Sequence, residues 1–109
     1  MVKLPAPTET DILRAIRTYL QLRGWFVIRH QAGLGSARGF PDLIAVKDGQ
    51  VVFIEVKTPK GQLSSYQRAF WDELTAYGGS YVVLRSVKDA EELAQEFEGL
   101  AAPSKEGER

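Results

Sequence analysis

Lys47-Asp48-Gly49-Gln50 constrains this chain more than any other stretch. Asp-Gly between two apolar runs is a strong local signal for a two-residue hairpin turn. With Asp48 and Gly49 as the turn, Lys47 pairs with Gln50, Val46 faces Val51, Ile44 faces Phe53 and Asp42 faces Glu55. Directly opposed side chains on antiparallel strands have Cβ atoms roughly 5 Å apart. Two carboxylates so placed repel each other unless a cation lies between them. Lys57, two residues beyond Glu55, points to the same face of the strand. Two acids and a lysine converging on one spot make a candidate metal-ion hydrolytic site. The turn length decides this. A three-residue loop would shift the register by one and part the acids across the sheet.

The flanking segments set the layers. Thr8 is a helix N-cap with Asp11 in a capping-box place. Ile12, Leu13, Ile16 and Leu20 follow at helical spacing, and Gly24 ends the helix. Trp25 to Arg29 is aromatic and β-branched, hence a strand. Gln31 to Phe40 holds three glycines and reads as a loop. It is not a phosphate-binding loop, because no Gly-Lys-Ser/Thr follows in place. Leu43–Val46 and Val51–Lys57 form the hairpin. Val51 to Val56 is almost continuously apolar, as expected of a central strand buried on both faces, so a charged Glu55 inside it needs a reason. Thr58 to Gln62 is a turn. Ser64 caps a second helix reaching Tyr77, with Phe70, Trp71 and Leu74 on its buried side, and Gly78-Gly79 stops it. Tyr81 to Leu84 is a fourth strand. Ser86 caps a third helix with the stripe Ala90, Leu93, Ala94 and Phe97.

The order α-β-β-β-α-β-α implies an α/β or α+β layer fold on a mixed sheet. Residues 1–7 read as an irregular arm, 8–100 as the domain, and 101–109 as a disordered tail. At 109 residues the chain suits one domain. It has no cysteine, hence no disulfide framework and no thiolate metal site, which fits a reducing, cytoplasmic setting. The N-terminus has no apolar core of a signal peptide, and no stretch approaches the ~20 apolar residues of a membrane span. Fourteen basic and fourteen acidic residues balance to zero. A nucleic-acid binder is more usually basic. The charge is uneven, however, with arginines and lysines gathered in the first sixty residues and acids from Asp89 to Glu108.

Pro41-Asp42 and Glu55-Val56-Lys57 resemble the two-part motif of the PD-(D/E)xK nuclease superfamily. The runs Arg38-Gly39-Phe40-Pro41-Asp42-Leu43, Glu55-Val56-Lys57-Thr58-Pro59-Lys60-Gly61 and Ser64 to Gln67 are similar, more narrowly, to a stand-alone VRR-NUC domain. The resemblance runs from about Glu9 to Ser86. It implies a restriction-endonuclease-like α-β-β-β-α-β core with an extra C-terminal helix. It also implies a Mg²⁺ or Mn²⁺ ion held by Asp42, Glu55 and the main-chain carbonyl of Val56, a hard oxygen donor set. Lys57 would position or activate water and offset charge in the transition state. The family's acid on the first helix, beside the metal and among its ligands, matches Glu9, and its glutamine near the lysine matches Gln67. Both face inward by helical spacing. Each has a plainer alternative. Glu9 suits a helix dipole, and Gln67 completes a capping box with Ser64.

The implied substrate is DNA, branched or otherwise structured, cut endonucleolytically in replication or repair, in a bacterial or viral-type setting. Arg29, Arg38 and Lys60 flank the motifs as candidate phosphate contacts. A homodimer would place two sites on two strands. Rival readings are a nucleic-acid-binding module with weak or no cleavage, and a sequence-specific restriction-like enzyme. His30, the only histidine, reads as a local hydrogen-bonding residue, and Trp25 and Trp71 as core.

Overall fold

The computed structural model describes residues 4–31 and 37–107, with side chains described as far as residue 99. Its elements are α1 (Glu9–Leu22), β1 (Phe26–Arg29), β2 (Leu43–Lys47), β3 (Gln50–Val56), α2 (Ser65–Ala76), β4 (Ser80–Leu84) and α3 (Val87–Gly107). The sheet order is β1-β2-β3-β4, antiparallel except for the parallel β3–β4 pair. This is the mixed-sheet, restriction-endonuclease-like arrangement expected from the sequence.

The hairpin turns where the residues demand it. Asp48 and Gly49 take φ of 52° and 80°, the double left-handed geometry of a type I′ turn. Lys47 pairs with Gln50, and the register runs through Ile44↔Phe53 to Leu43↔Ile54.

Alternation then sorts the strands onto two faces. Leu43, Ala45, Val52, Ile54, Val56 and Leu84 lie on one, covered by Ile12, Leu13, Ile16 and Leu20 of α1 and Ala90, Leu93 and Ala94 of α3. Trp25 joins this core edge-on to Phe97. The capping box of α1 forms as expected: Thr8 Oγ1 accepts from Asp11 N, and Asp11 accepts from Thr8 N.

The opposite face carries Ile28, Ile44, Phe53, Glu55 and Tyr81. The crossover helix α2 covers only its β3–β4 side, packing Phe70 and Trp71 against Phe53 and Tyr81. Two expectations change here. No α2 residue is fully buried, so Phe70, Trp71 and Leu74 are half-buried rather than core. β3 is enclosed on both faces only toward its end, because α2 stops short of Val51, which is 43% exposed. On the same uncovered face Phe26 is 66% and Ile28 41% exposed.

Ser86 caps α3 through Asp89 N, as expected. The helix continues to Gly107, past the point where the sequence suggests a disordered tail, and residues 108–109 lie outside the described residues.

Candidate active site

The hairpin register brings the acids together, with one adjustment. The ladder ends at Leu43↔Ile54, one residue before Asp42 would oppose Glu55. Asp42 keeps a main-chain bond on its other side, where its carbonyl accepts from His30 N at 2.8 Å. Its carboxylate Oδ2 accepts from Val56 N at 2.8 Å, in the place of a ladder carbonyl. The N–H and C=O of a strand residue point to the same neighbour, so the Val56 carbonyl also faces Asp42.

Glu55 is 2% exposed, the one charged residue in the described interior. Its Oε2 accepts from Gln67 Nε2 at 3.0 Å, and Lys57 Nζ lies 3.9 Å from the same oxygen. Its Oε1 is buried with no hydrogen-bond partner among the described residues. An unpaired buried carboxylate oxygen is costly. Burial, first, pushes the Glu55 carboxyl up to about 8; the neighbouring Asp42 carboxylate adds to this, Lys57 opposes it, and Glu9 adds a little.

Gln67 makes both kinds of contact that the sequence leaves open. Its Oε1 accepts from Ser64 N at 2.8 Å to complete the capping box, while Nε2 holds Glu55. Gly39 seats the loop before Asp42 against the same helix. It has φ +79°, and a Cβ there would lie 2.1 Å from the Tyr66 carbonyl oxygen. Arg38 stacks over the Tyr66 ring at 4.8 Å and also hydrogen-bonds its hydroxyl. One contact therefore places Pro41-Asp42 and Gln67 together. Phe40 packs on His30, Phe53 and Phe70 below them.

The other expected residues are spread out. Glu9 is exposed in the first turn of α1 and reaches Glu55 only as a distant charge. Among the described residues, no three His, Cys, Asp or Glu side chains are grouped to hold a metal ion. The groups that could hold a metal are the Asp42–Glu55 pair and the Val56 carbonyl, and the unshared Glu55 Oε1 would suit a hard cation. Arg29 shares its sheet face with Val27 and Leu43, opposite the acids, whereas Arg38 and Lys60 are exposed at the α2 and Thr58–Gly61 ends of the site. His30 lies across the strand from Asp42 with Nε2 buried and unpartnered among the described residues. A groove of about 900 Å³ between Pro7, Ile12, Ala15, Pro59, Arg85 and Val87 contains neither acid nor Lys57.

Two residues near the site escape a reading of the sequence. Arg85 Nη1 donates to the carbonyls of Thr58 (2.7 Å), Gly61 (2.8 Å) and Pro59 (3.3 Å), clamping the turn that follows Lys57. Tyr81 presents a buried hydroxyl on the Glu55 face. Both sit on or beside β4, whose parallel register against β3 has no local sequence signal.

A mixed sheet with one crossover helix, carrying Pro-Asp and Glu-Val-Lys at adjoining strand ends, defines a PD-(D/E)xK-type nuclease fold. The VRR-NUC domain model matches residues 7–88. The chain belongs to the VRR-NUC family, within the PD-(D/E)xK nuclease superfamily, and its function is of nuclease type. A solved structure described as a VRR-NUC domain superposes with a TM-score of 0.69 at 21% identity, covering 83% of this chain and 97% of that one. No curated protein matches the chain. Nucleases of this family are generally divalent-metal dependent.

Proposed function

We propose that this protein is a divalent-metal-dependent endonuclease that hydrolyses DNA phosphodiester bonds, with a preference for branched DNA. The observation that carries this reading is Glu55: a buried carboxylate with one oxygen held by Gln67 and Lys57 and the other unshared, beside a second carboxylate.

Asp42, Glu55 and the Val56 carbonyl would hold Mg²⁺ or Mn²⁺, which when bound supplies Lewis acidity to the scissile phosphate and to water. Each protein group has its own task. Val56 N fixes one oxygen of Asp42 and leaves the other to the cation. Gln67 orients Glu55. Lys57, half-buried beside Glu55, positions the attacking water and balances the negative charge that grows at phosphorus. Glu9 adds charge at the rim. Arg38 and Lys60 receive the flanking phosphates, and Arg29, on the other face, serves a longer path of the nucleic acid.

Structure selectivity is favoured because a domain of this size offers little surface for reading bases, where specific interfaces bury ~1,000–2,500 Å². The bare strip Phe26, Ile28 and Val51 beside the edge strand β1 supports a homodimer, which would set two sites on two DNA strands. Among the described residues no helix is long and apolar enough to cross a membrane. An intracellular role in replication or repair fits the cysteine-free sequence.

The test is cleavage of labelled four-way, flap, duplex and single-stranded DNA with Mg²⁺, Mn²⁺ or EDTA, alongside Lys57→Ala. Metal-dependent cutting of branched substrates that the variant lacks is expected. Binding without cutting in either metal would replace this reading with that of a binding module.

A further inference from the structure

Tyr81 is 7% exposed, and its hydroxyl has no hydrogen-bond partner among the described residues. A buried phenol left unpaired is costly. A tyrosine kept only for packing would be better replaced by phenylalanine at such a place, so the hydroxyl needs an account.

The register supplies one. Tyr81 pairs with Phe53 across the parallel β3–β4 ladder, and Glu55 lies two residues on, so both side chains rise from the same face as diagonal neighbours. A diagonal pair lies within reach of an aromatic side chain. The ring is held in place by Trp71, stacked at 5.0 Å and 20°, with Phe70 at 6.4 Å. Glu55 Oε1, the unpaired atom two residues along β3 from Tyr81's partner Phe53, lies on this face, as does the unpaired His30 Nε2 at the far end of the sheet. The Tyr81 hydroxyl and Glu55 Oε1 do not bond each other directly, and each requires a partner. One ordered water between them would satisfy both.

Resting on the nuclease reading above, we propose that Tyr81 is a positioning residue. Its hydroxyl, through one ordered water, holds Glu55 in the orientation that presents Oε1 to the divalent cation. A carboxylate oxygen has two lone pairs, so one accepts this hydrogen bond while the other faces the cation. Burial, and then the charges of Glu55 and Asp42, hold the phenol above its ordinary range, so it remains a donor. Partners behind a metal ligand typically change metal affinity about 10–100-fold.

Tyr81→Phe retains the ring and its stacking and removes only the hydroxyl. Mn²⁺ titration by calorimetry should show about tenfold weaker binding, with thermal melting in EDTA unchanged or slightly raised. Asp42→Asn is the companion variant. If Asp42→Asn binds Mn²⁺ like the wild type, the metal-site reading itself is overturned. If Asp42→Asn loses the ion while Tyr81→Phe retains wild-type affinity, only the role of Tyr81 falls. A second readout uses the unmutated chain: with ¹³Cζ-labelled tyrosine, Mg²⁺ should shift the Tyr81 resonance and leave those of Tyr19, Tyr66 and Tyr77 in place. A Tyr81 signal that ignores saturating Mg²⁺ would refute the proposal.

Discussion

Gln67 joins helix capping to the candidate active site: its Oε1 accepts from Ser64 N at 2.8 Å, and its Nε2 donates to Glu55 at 3.0 Å. The first turn of α2 therefore cannot fray without releasing the buried carboxylate. Gln67→Glu separates the two tasks, since glutamate still serves a capping box but places a third negative charge against Glu55. Its melting temperature should stay within a few degrees of the wild type, while the nuclease rate falls by more than about tenfold. Gln67→Ala should lose both, with about 0.5–2 kcal/mol of stability going with the cap. Equal rates for wild type and Gln67→Glu would remove Gln67 from the site.

Lys57→Ala should lower the cleavage rate by about 10²–10³. DNA affinity measured with Ca²⁺ in place of Mg²⁺ should change by less than about threefold, because the lysine is half-buried beside Glu55 and not on the open surface. Asp42→Asn should weaken cleavage and cation binding together. A Lys57→Ala enzyme that cuts at the wild-type rate would require another residue to supply the positive charge.

Glu55 makes the metal-free protein sensitive to pH. Its carboxyl is raised from the ordinary 4.5 to about 8, so the folded chain holds a proton that the unfolded chain has released. Stability in EDTA should therefore be greatest below about 4.5 as far as Glu55 is concerned, and decline as pH rises toward about 8. Denaturant unfolding across that window should show this slope, and Glu55→Gln should flatten it. Cation binding expels the same proton, so Mg²⁺ affinity should increase with pH until about 8. A wild-type slope that persists in Glu55→Gln would assign it elsewhere.

Gly39→Ala tests how the loop is seated. The left-handed φ of +79° alone costs an alanine about 1–2 kcal/mol. The added Cβ would also lie 2.1 Å from the Tyr66 carbonyl oxygen, so the loop must lift from α2. Chemical denaturation should show a loss above that range, and activity should fall further than Arg38→Ala alone causes. A variant as stable and active as the wild type would show that the contact is dispensable.

Arg85→Ala should free the turn after Lys57. The charged hydrogen bonds to Thr58 and Gly61 together contribute on the order of 1.5–3 kcal/mol. Hydrogen exchange at Gly61 N–H, which closes the turn onto Thr58 O, should accelerate, and cleavage should slow with it. Lysine at 85 lacks the guanidinium fork and should rescue only in part. Unchanged exchange at Gly61 would show that the turn holds itself.

The hairpin was legible because its determinants are local. Asp48-Gly49 adopts two positive φ angles that few other residue pairs tolerate, and the period of two carries the register from that turn toward Asp42 and Glu55. Helix starts at Thr8, Ser64 and Ser86 were legible for the same reason, since a cap and its partner are three residues apart. Tertiary structure decided what distant segments bring together. The parallel β3–β4 pairing has no turn to set its register, yet it places Tyr81 on the Glu55 face and Leu84 opposite Val56, which delivers Arg85 to the turn after Lys57. It also decided that α2 covers only half of its face, leaving Phe26, Ile28 and Val51 bare. Hydrophobic spacing says that a strand residue prefers burial, but only the length and placement of the covering helix determine whether burial is available.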